Sequence, residues 1–272
     1  MIVDTNVYLE RWPFRRLAYD QLPKLVEKLA AGGVGQAWVG SFEGLVHEDI
    51  DGVNRRLAEA CRACRSVQLL PFGSVNPRLP DWREDVRRCH ETYRMPGIRL
   101  HPNYHGYQLD EPVAGQLFAE AAKRRLIVQL AVRMEDPRTH HPLMQVPDVA
   151  LEPLVALLQA QRTLPVVLLG TLGTLRGPLL VKLVEAGEVH FEISMLEGAA
   201  GIARILRDLP VERLLFGSHM PLFHLESALL KLEESPLSAA QRRAITAAGA
   251  RRLMGGPRAI EATSAGPPVP GD

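Results

Sequence analysis

The sequence predicts a (β/α)8 TIM barrel, a ring of eight parallel strands with some distortion allowed, followed by an extra C-terminal helix. Eight short runs rich in Val, Ile and Leu recur at intervals of about thirty residues, the repeat length of a strand plus its crossover helix. The runs are almost entirely apolar, as expected of parallel strands covered on both faces. The segments between them carry apolar residues at helical spacing. An open doubly wound sheet is the alternative, weakened because no Gly-x-Gly-x-x-Gly follows any run.

The elements are predicted in chain order. The strands are expected at 1–7, 36–40, 67–72, 97–100, 126–132, 164–169, 189–193 and 213–216. Leucine stripes between them predict helices that begin after Pro153 and Pro178 and one that ends before Gly32. A last helix over 239–254 completes a single domain of residues 1–256. The Pro-rich segment 257–272 is predicted to be a disordered tail.

Composition and charge limit the classes of partner. The 272 residues include 32 Lys and Arg against 31 Asp and Glu, a net charge of +1. That balance gives no electrostatic reason to expect nucleic acid or an anionic membrane as a partner. No apolar run is long enough to cross a bilayer and no leader pattern starts the chain, so a cytoplasmic location is expected. Cys61 and Cys64 are interpreted as small helix residues in a reducing compartment.

Polar residues cluster where the predicted strands end, which is where a barrel of this kind builds its functional site. Asp4 and Asn6 stand two apart, so their side chains point to the same face of the first strand, with Tyr8 beyond them. Six of the nine histidines lie in or near such loops. As a set they indicate a site that uses imidazole to bind a metal, to transfer protons or to hold an anion.

Four segments near strand ends carry a family resemblance. They are Ile-Val-Asp-Thr-Asn at the N-terminus, Gly-Ile-Arg-Leu-His-Pro at strand four, Pro-Val-Val-Leu-Leu-Gly at strand six and Leu-Leu-Phe-Gly-Ser-His-Met-Pro at strand eight. Together these segments resemble the amidohydrolase superfamily, specifically the amidohydrolase-related group (amidohydrolase 2) of metal-dependent hydrolases and decarboxylases. The resemblance spans residues 1 to about 256, and it implies the same barrel.

The ligand positions of that family are altered here. The family's first strand usually ends Asp-x-His-x-His; Asn6 and Tyr8 take the two imidazole positions if Asp4 matches the leading Asp. In the alternative register Asp4 and Asn6 themselves occupy the ligand positions. The family's histidines after strands five and six, and its Asp after strand eight, fall on Ala131, Gly170 and His219.

The metal prediction follows from these departures. Catalytic zinc needs about three protein ligands and an open position for water. The candidate ligands are Asp4, Asn6 and His219, and one of them is a neutral amide that binds zinc poorly. We therefore expect one divalent ion, zinc or a harder metal, that is either weakly bound or absent.

The resemblance implies a hydrolase that acts on a small ester, lactone or amide. His219 is the predicted general base or ligand, and His101 and Arg99 are predicted to position a carboxylate or to polarise a carbonyl. The segment after strand five is expected to form a lid. The predicted substrate contacts are Tyr8, His105, Arg133, His140 and His141.

Two further hypotheses about the function stay open. In one the chain is a decarboxylase-like lyase, in which Arg99, Arg133 and Arg138 hold an acidic substrate. In the other it is a barrel without catalysis, which binds a small molecule or serves as a partner subunit, since the imidazole ligands are lost. A small-molecule substrate is the expected partner, and a homodimer is an open expectation.

Overall fold

The computed structural model of the chain describes residues 1–255, so the predicted tail over 257–272 lies outside the described residues. One parallel sheet contains eight strands in the order β1 to β8, which confirms the predicted (β/α)8 barrel. The strands are β1 (Ile2–Leu9), β2 (Val34–Ser41), β3 (Gln68–Ser74), β4 (Gly97–Leu100), β5 (Ile127–Ala131), β6 (Val166–Leu169), β7 (Val189–Glu192) and β8 (Leu214–Leu215).

The ring closes between the last strand and the first through a few backbone bonds. The amide of Thr5 donates to the carbonyl of Phe216 at 2.9 Å. Further along, the amide of His219 donates to the Asn6 carbonyl and the amide of Tyr8 donates to the Met220 carbonyl, both at 2.8 Å. These bonds bring the end of β8 against β1, and the barrel is nearly closed.

Helices follow the strands as the spacing predicts. They are α1 (Leu22–Ala31), α2 (Ile50–Ala63), α3 (Trp82–Glu91), α4 (Pro102–His105), α5 (Pro112–Lys123), α6 (Leu154–Ala160), α7 (Pro178–Ala186), α8 (Gly201–Ile205), α9 (Leu225–Glu233), α10 (Ala239–Arg243) and α11 (Gly249–Gly255). A π-helical turn, Ala244–Ala248, joins the last two into the predicted C-terminal helix. None of the described helices has both the length and the apolar character of a membrane span.

Local signals set several helix starts. A proline stands in the first turn of α1, α5 and α7, where its missing N–H costs no helical hydrogen bond. The helix α10 begins with a capping box, in which the Ser238 hydroxyl accepts from the Gln241 amide and the Gln241 side chain accepts from the Ser238 amide.

Apolar side chains fill the barrel at both ends. One cluster packs Trp38, Phe72 and Leu215 against Ala250 and Leu253 of α11. A separate cluster at the carboxyl ends of the strands is mainly aromatic, and it comprises Tyr8, Trp12, Phe42, Leu45, Ala131 and Met134. The mouth of the barrel is therefore packed with side chains.

Candidate functional site at the carboxyl ends of the strands

A buried polar layer crosses the barrel below the mouth. Arg99 on β4 is fully buried, and its three guanidinium nitrogens donate to the Gln129 side chain and to the carbonyls of Val7 and Trp38, at 2.8 to 3.1 Å. Because β4 is adjacent to neither β1 nor β2, these bonds tie opposite sides of the ring together. Arg99 is predicted to bind a carboxylate, but the structure places its donors on protein acceptors.

Asn6 joins two ionisable side chains at the end of β1. Its amide nitrogen Nδ2 lies 3.2 Å from Oε1 of Glu192 and 2.8 Å from Nδ1 of His219. The same Glu192 oxygen accepts from the Gly170 amide and the Ser194 hydroxyl, each at 2.7 Å. An oxygen surrounded by donors requires the NH2 side of the amide to face it, which fixes the orientation of the Asn6 side chain.

The contacts of His219 determine its tautomer. Since Asn6 Nδ2 is a donor, Nδ1 of His219 accepts, and Nε2 carries the hydrogen that it donates to the Met134 carbonyl at 2.7 Å. Burial lowers the pKa of His219 from 6.5 to about 4. The backbone of His219 has φ +60°, a left-handed conformation uncommon for residues other than glycine. Both ring nitrogens are therefore engaged in a neutral, fixed imidazole.

Asp4 lies beside this network and is fully buried. One carboxyl oxygen accepts from the amides of Asn6 and Ser218, at 3.1 and 3.0 Å, whereas Oδ2 has no partner among the described residues. Burial is the largest cause that raises the pKa of Asp4 to about 7, although the bonds from Ser218 and Asn6 oppose it. Asp4 is thus poised between its protonated and ionised forms near neutral pH.

Tyr8 occupies the centre of the mouth. Its ring stacks on Phe42 with centroids 4.7 Å apart, and the Arg99 guanidinium lies 4.3 Å from the ring centroid. The hydroxyl lies 3.0 Å from Nε2 of His101. His101 is buried, and burial lowers its pKa well below the usual value. The His105 ring packs edge-on against His101, with centroids 5.9 Å apart, and its Nε2 lies 2.8 Å from the Gly44 carbonyl.

The segment Arg133–Met134–Glu135, here called the mouth segment, covers these residues. The Met134 carbonyl accepts from His219, and its sulfur accepts from the Tyr8 hydroxyl at 3.3 Å. Glu135 is buried and pairs with Arg15 from the loop after β1. Tyr8, His101 and His219 are at most 1% exposed beneath it. The predicted catalytic histidines are thus brought together, but under a cover of protein.

The remaining predicted substrate contacts lie in the loop between β5 and α6. Arg133 makes a bidentate ion pair with Asp148. His140 lines a cavity of about 10 Å³ beside Ala131 and Met134, which is too small for an organic ligand. His141 is exposed and stacks on Phe14, with centroids 6.2 Å apart. Among the described residues, neither His140 nor His141 makes a ring contact or a hydrogen bond with His101 or His219.

A larger cavity lies to one side of the mouth, between the loops after β5, β6, β7 and β8. Its volume is about 280 Å³. Arg133, Ser194, Met195, Phe223 and Lys231 are among the residues that line it. The Phe223 ring packs edge-on against His219, with centroids 5.1 Å apart, so the cavity is one side chain away from the hydrogen-bonded network.

A family model for amidohydrolases matches residues 11–256, most of the chain. The chain belongs to the amidohydrolase family. The superfamily resemblance is thereby confirmed. No curated protein sequence matches the chain.

Solved structures share the amidohydrolase-family barrel at low sequence identity. A 2,6-dihydroxybenzoate decarboxylase from Rhizobium superposes with a TM-score of 0.72 and 16% identity, covering 93% of this chain and 98% of that one. A 5-carboxyvanillate decarboxylase from Sphingomonas paucimobilis gives 0.71 and 13%, with the same coverage. A dihydroxybenzoic acid decarboxylase from Polaromonas with bound manganese gives 0.72 and 13%, covering 93% and 96%.

The residues of this amidohydrolase-family member do not fit a divalent ion. Ala131 and Gly170 offer no ligating side chain, and both nitrogens of His219 are engaged by protein groups. Asn6 presents its nitrogen, not its oxygen, to the shared space. Among residues 1–255 no group of three His, Cys, Asp or Glu side chains could hold a metal. The predicted ligands Asp4, Asn6 and His219 instead belong to a hydrogen-bonded network.

The structure also explains the loss at position 170. Gly170 has φ +72°, and a Cβ there would lie 2.4 Å from the Arg133 carbonyl oxygen. A histidine at this position would collide with the mouth segment, so the segment and the family's histidine exclude each other.

Two residues of the site, Met134 and Lys231, are missed from the sequence as functional candidates. Glu192, a polar residue within the seventh predicted strand, accepts hydrogen bonds from the Asn6 side chain and the Gly170 amide. Met134 lies in the loop after β5 and Lys231 lies in the amphipathic helix α9, and no local sequence pattern indicates a functional role for either. Only the three-dimensional arrangement reveals that they face the mouth and the side cavity.

Proposed function

We propose that this protein binds a small organic acid in the side cavity, and that it does so without a resident metal ion. The proposal rests on two observations made together. The barrel mouth is filled by side chains, and a cavity of about 280 Å³ beside it is lined by a half-buried lysine, Lys231. Pockets of roughly 300 Å³ are large enough for small ligands.

The lining of the cavity suits an acid with an apolar body. Lys231 makes no ion pair among residues 1–255, and the Nη1 of Arg133 is not used in its ion pair with Asp148. Met195 and Phe223 supply apolar and aromatic surface. Three carboxylates also line the cavity: Asp136, which pairs with Arg138, and the exposed Glu197 and Glu234. Water and salt screen exposed charges more than buried ones.

The hydrolase reading, on a small ester, lactone or amide, stays a prediction and has less support from the geometry. A general base must accept a proton near the operating pH. The pKa of His219 is about 4, and its accepting nitrogen already receives the Asn6 amide. Asp4 has a pKa of about 7 and an unpartnered Oδ2, but it is fully buried and lines neither the side cavity nor the small cavity beside His140.

A decarboxylase-like lyase is the second candidate. It is favoured by the solved structures that superpose on the chain, since several are decarboxylases of aromatic acids. The same cavity would hold the substrate carboxylate, so both candidates share a binding site and differ in whether CO2 is released.

Binding and metal content can be tested together. Purified protein is titrated calorimetrically with 2,6-dihydroxybenzoate and with uncharged resorcinol, and its metal content is measured by elemental analysis. We expect binding of the acid only, substoichiometric metal, and at least about tenfold weaker binding in Lys231→Met. Lys182→Met, at an exposed position on α7, is the matched control.

The outcomes separate the readings. Equal binding of acid and resorcinol, or unchanged affinity in Lys231→Met, would contradict the proposed site. A full equivalent of bound metal would contradict the metal-free assignment. Release of CO2 from 2,6-dihydroxybenzoate would favour the lyase.

A further inference from the structure

Lys231 stands apart from the other basic residue that lines the side cavity. It projects from α9, and its Nζ donates to the carbonyl of Ser194 at the end of β7. Arg133 pairs with Asp148, but no carboxylate lies within ion-pair distance of Lys231 among the described residues. It is unusual for a lysine amine to be half-buried at a cavity wall without a counter-ion.

The charges around the amine have opposing effects. Glu192 and Glu197 face it from the β7 side and Glu234 from its own helix, while Arg133 and Asp136 lie across the cavity. The carboxylates favour the ammonium form, but burial is the larger effect and lowers the pKa of Lys231 below its usual value. More of the amine is therefore unprotonated, and nucleophilic, at neutral pH than on an exposed lysine.

We propose that Lys231 forms an imine with the carbonyl group of a small oxo acid held in the side cavity. This inference rests on the proposed acid-binding function and names its ligand class. The unprotonated Nζ attacks the carbonyl carbon and forms a C–N bond. The carbonyl oxygen leaves as water, so that a ketone and the lysine ammonium give a protonated imine and one water molecule overall.

The cavity holds the two recognition elements that an oxo acid requires. The Ser194 carbonyl accepts from Nζ and positions the amine at the wall formed by β7 and α9. Arg133 contributes to the lining from the loop after β5, and its free Nη1 is available to a carboxylate. In a bound 3-oxo acid, the carboxylate would therefore face the Arg133 guanidinium and the ketone would face the Lys231 amine.

The imine also supplies a route to decarboxylation that needs no metal. In a 3-oxo acid the bond to the carboxylate breaks, and its electron pair forms the C=C bond of an enamine as the imine nitrogen becomes neutral. CO2 leaves, a proton from water adds to carbon, and water then hydrolyses the imine to release the ketone and restore Lys231. The positive nitrogen thus acts as the electron acceptor.

The test is reductive trapping of the full chain. Protein is incubated with acetoacetate and sodium cyanoborohydride at neutral pH, digested, and mapped by mass spectrometry. We expect an adduct on Lys231 in at least about tenfold excess over Lys182, the exposed lysine on α7, and protection of Lys231 by 2,6-dihydroxybenzoate. CO2 release from acetoacetate should fall at least a hundredfold in Lys231→Arg and remain unchanged in Lys182→Arg.

Each outcome decides the proposal. Labelling of Lys231 no greater than that of Lys182, or no adduct at all, overturns it, and this comparison in the unsubstituted protein stands even if Lys231→Arg does not fold. A lower half-maximal pH for labelling of Lys231 than of Lys182 supports it. Binding of 2,6-dihydroxybenzoate without any adduct rejects the imine and leaves the acid-binding function intact, whereas loss of both rejects both.

Discussion

At the scale of single residues, Asn6 is the side chain that links the ionisable groups of the site. Its amide supplies one hydrogen to the Glu192 carboxyl and one to the His219 ring, so it satisfies two buried acceptors at once. Leaving a buried acceptor without a partner costs about 1–3 kcal/mol. The amide is therefore expected to hold the network together more than either ionisable side chain does alone.

Replacing Asn6 with Asp should destabilise the fold strongly. The new carboxylate loses the donor to His219 and faces Glu192, and an uncompensated buried charge costs about 3–5 kcal/mol. We expect the free energy of unfolding in urea to fall by about that amount, and by more at pH 8 than at pH 5. Asn76→Asp is the control, because Asn76 uses its Oδ1 to accept from the Arg78 amide and an aspartate can do the same. Equal effects at the two positions would contradict this view of the network.

Asp4→Asn should stabilise the protein in a pH-dependent manner. The unfolded pKa of an aspartate is 3.8 and that of folded Asp4 is about 7, so between these values the folded state holds a proton that the unfolded state has lost. Stability contributed by this group is therefore present below pH 3.8 and is lost as pH rises through 7. At about 1.4 kcal/mol per pH unit, the variant should gain at most about 4 kcal/mol relative to the native protein at pH 8.

The measurement is urea unfolding of both proteins from pH 4 to pH 8. The difference between them should widen up to about pH 7 and then level off. Asp110→Asn, at an exposed position, serves as the control. A difference that does not vary with pH would show that Asp4 does not titrate as the structure indicates.

The sequence identifies most residues at the mouth but not their contacts. Same-face spacing correctly brings Asp4 and Asn6 to one end of the barrel, and the strand-end rule brings His101 and His219 there too. The rule gives no information on whether a side chain bonds protein or faces a cavity. Arg99 illustrates the limit, because its partners come from three other strands.

At the scale of elements, the mouth segment packs against Gly170, the position at which the family carries a metal-binding histidine. Its backbone fits against Gly170 only because that residue has no side chain. Gly170→Ala places a Cβ against the Arg133 carbonyl and must also adopt φ +72°, which should cost about 2–4 kcal/mol. Thermal unfolding measures the cost, and faster proteolysis within 132–153 should report displacement of the segment.

The control for that substitution lies on α5. A Cβ at Gly115 has its nearest neighbour 3.9 Å away, and the position is helical, so Gly115→Ala should stabilise by about 0.4–1 kcal/mol. If Gly170→Ala were as well tolerated as Gly115→Ala, the fit between the mouth segment and β6 would be looser than described.

The periodic elements were predictable and the long loop was not. Apolar runs fix the strands because both faces of each strand are buried, and prolines mark helix starts. The segment 133–141 is predicted to form a lid over the site. Its charges give no indication that Met134, an apolar residue, makes the two contacts with His219 and Tyr8.

At the scale of the whole molecule, the structure predicts that stability does not depend on metal. A ligand that binds only the folded state raises its stability by mass action, and removal of such a ligand lowers it. Since both ring nitrogens of His219 bond to protein groups and no described group of three His, Cys, Asp or Glu side chains could hold a metal, dialysis against EDTA should leave the melting temperature unchanged, and added zinc or manganese should not raise it. A clear fall in the melting temperature on chelation would contradict the conclusion that these residues do not fit a divalent ion.

The filled mouth determines which part of this barrel can vary in ligand binding. Arg99, Tyr8 and Met134 occupy the axis, and the side cavity proposed to bind an acid lies at the flank, between the loops that follow β5 to β8. On the proposed function, ligand choice depends on those surface loops, while the hydrogen-bonded interior stabilises the ring. We therefore expect substitutions in these loops to change ligand preference with little effect on folding.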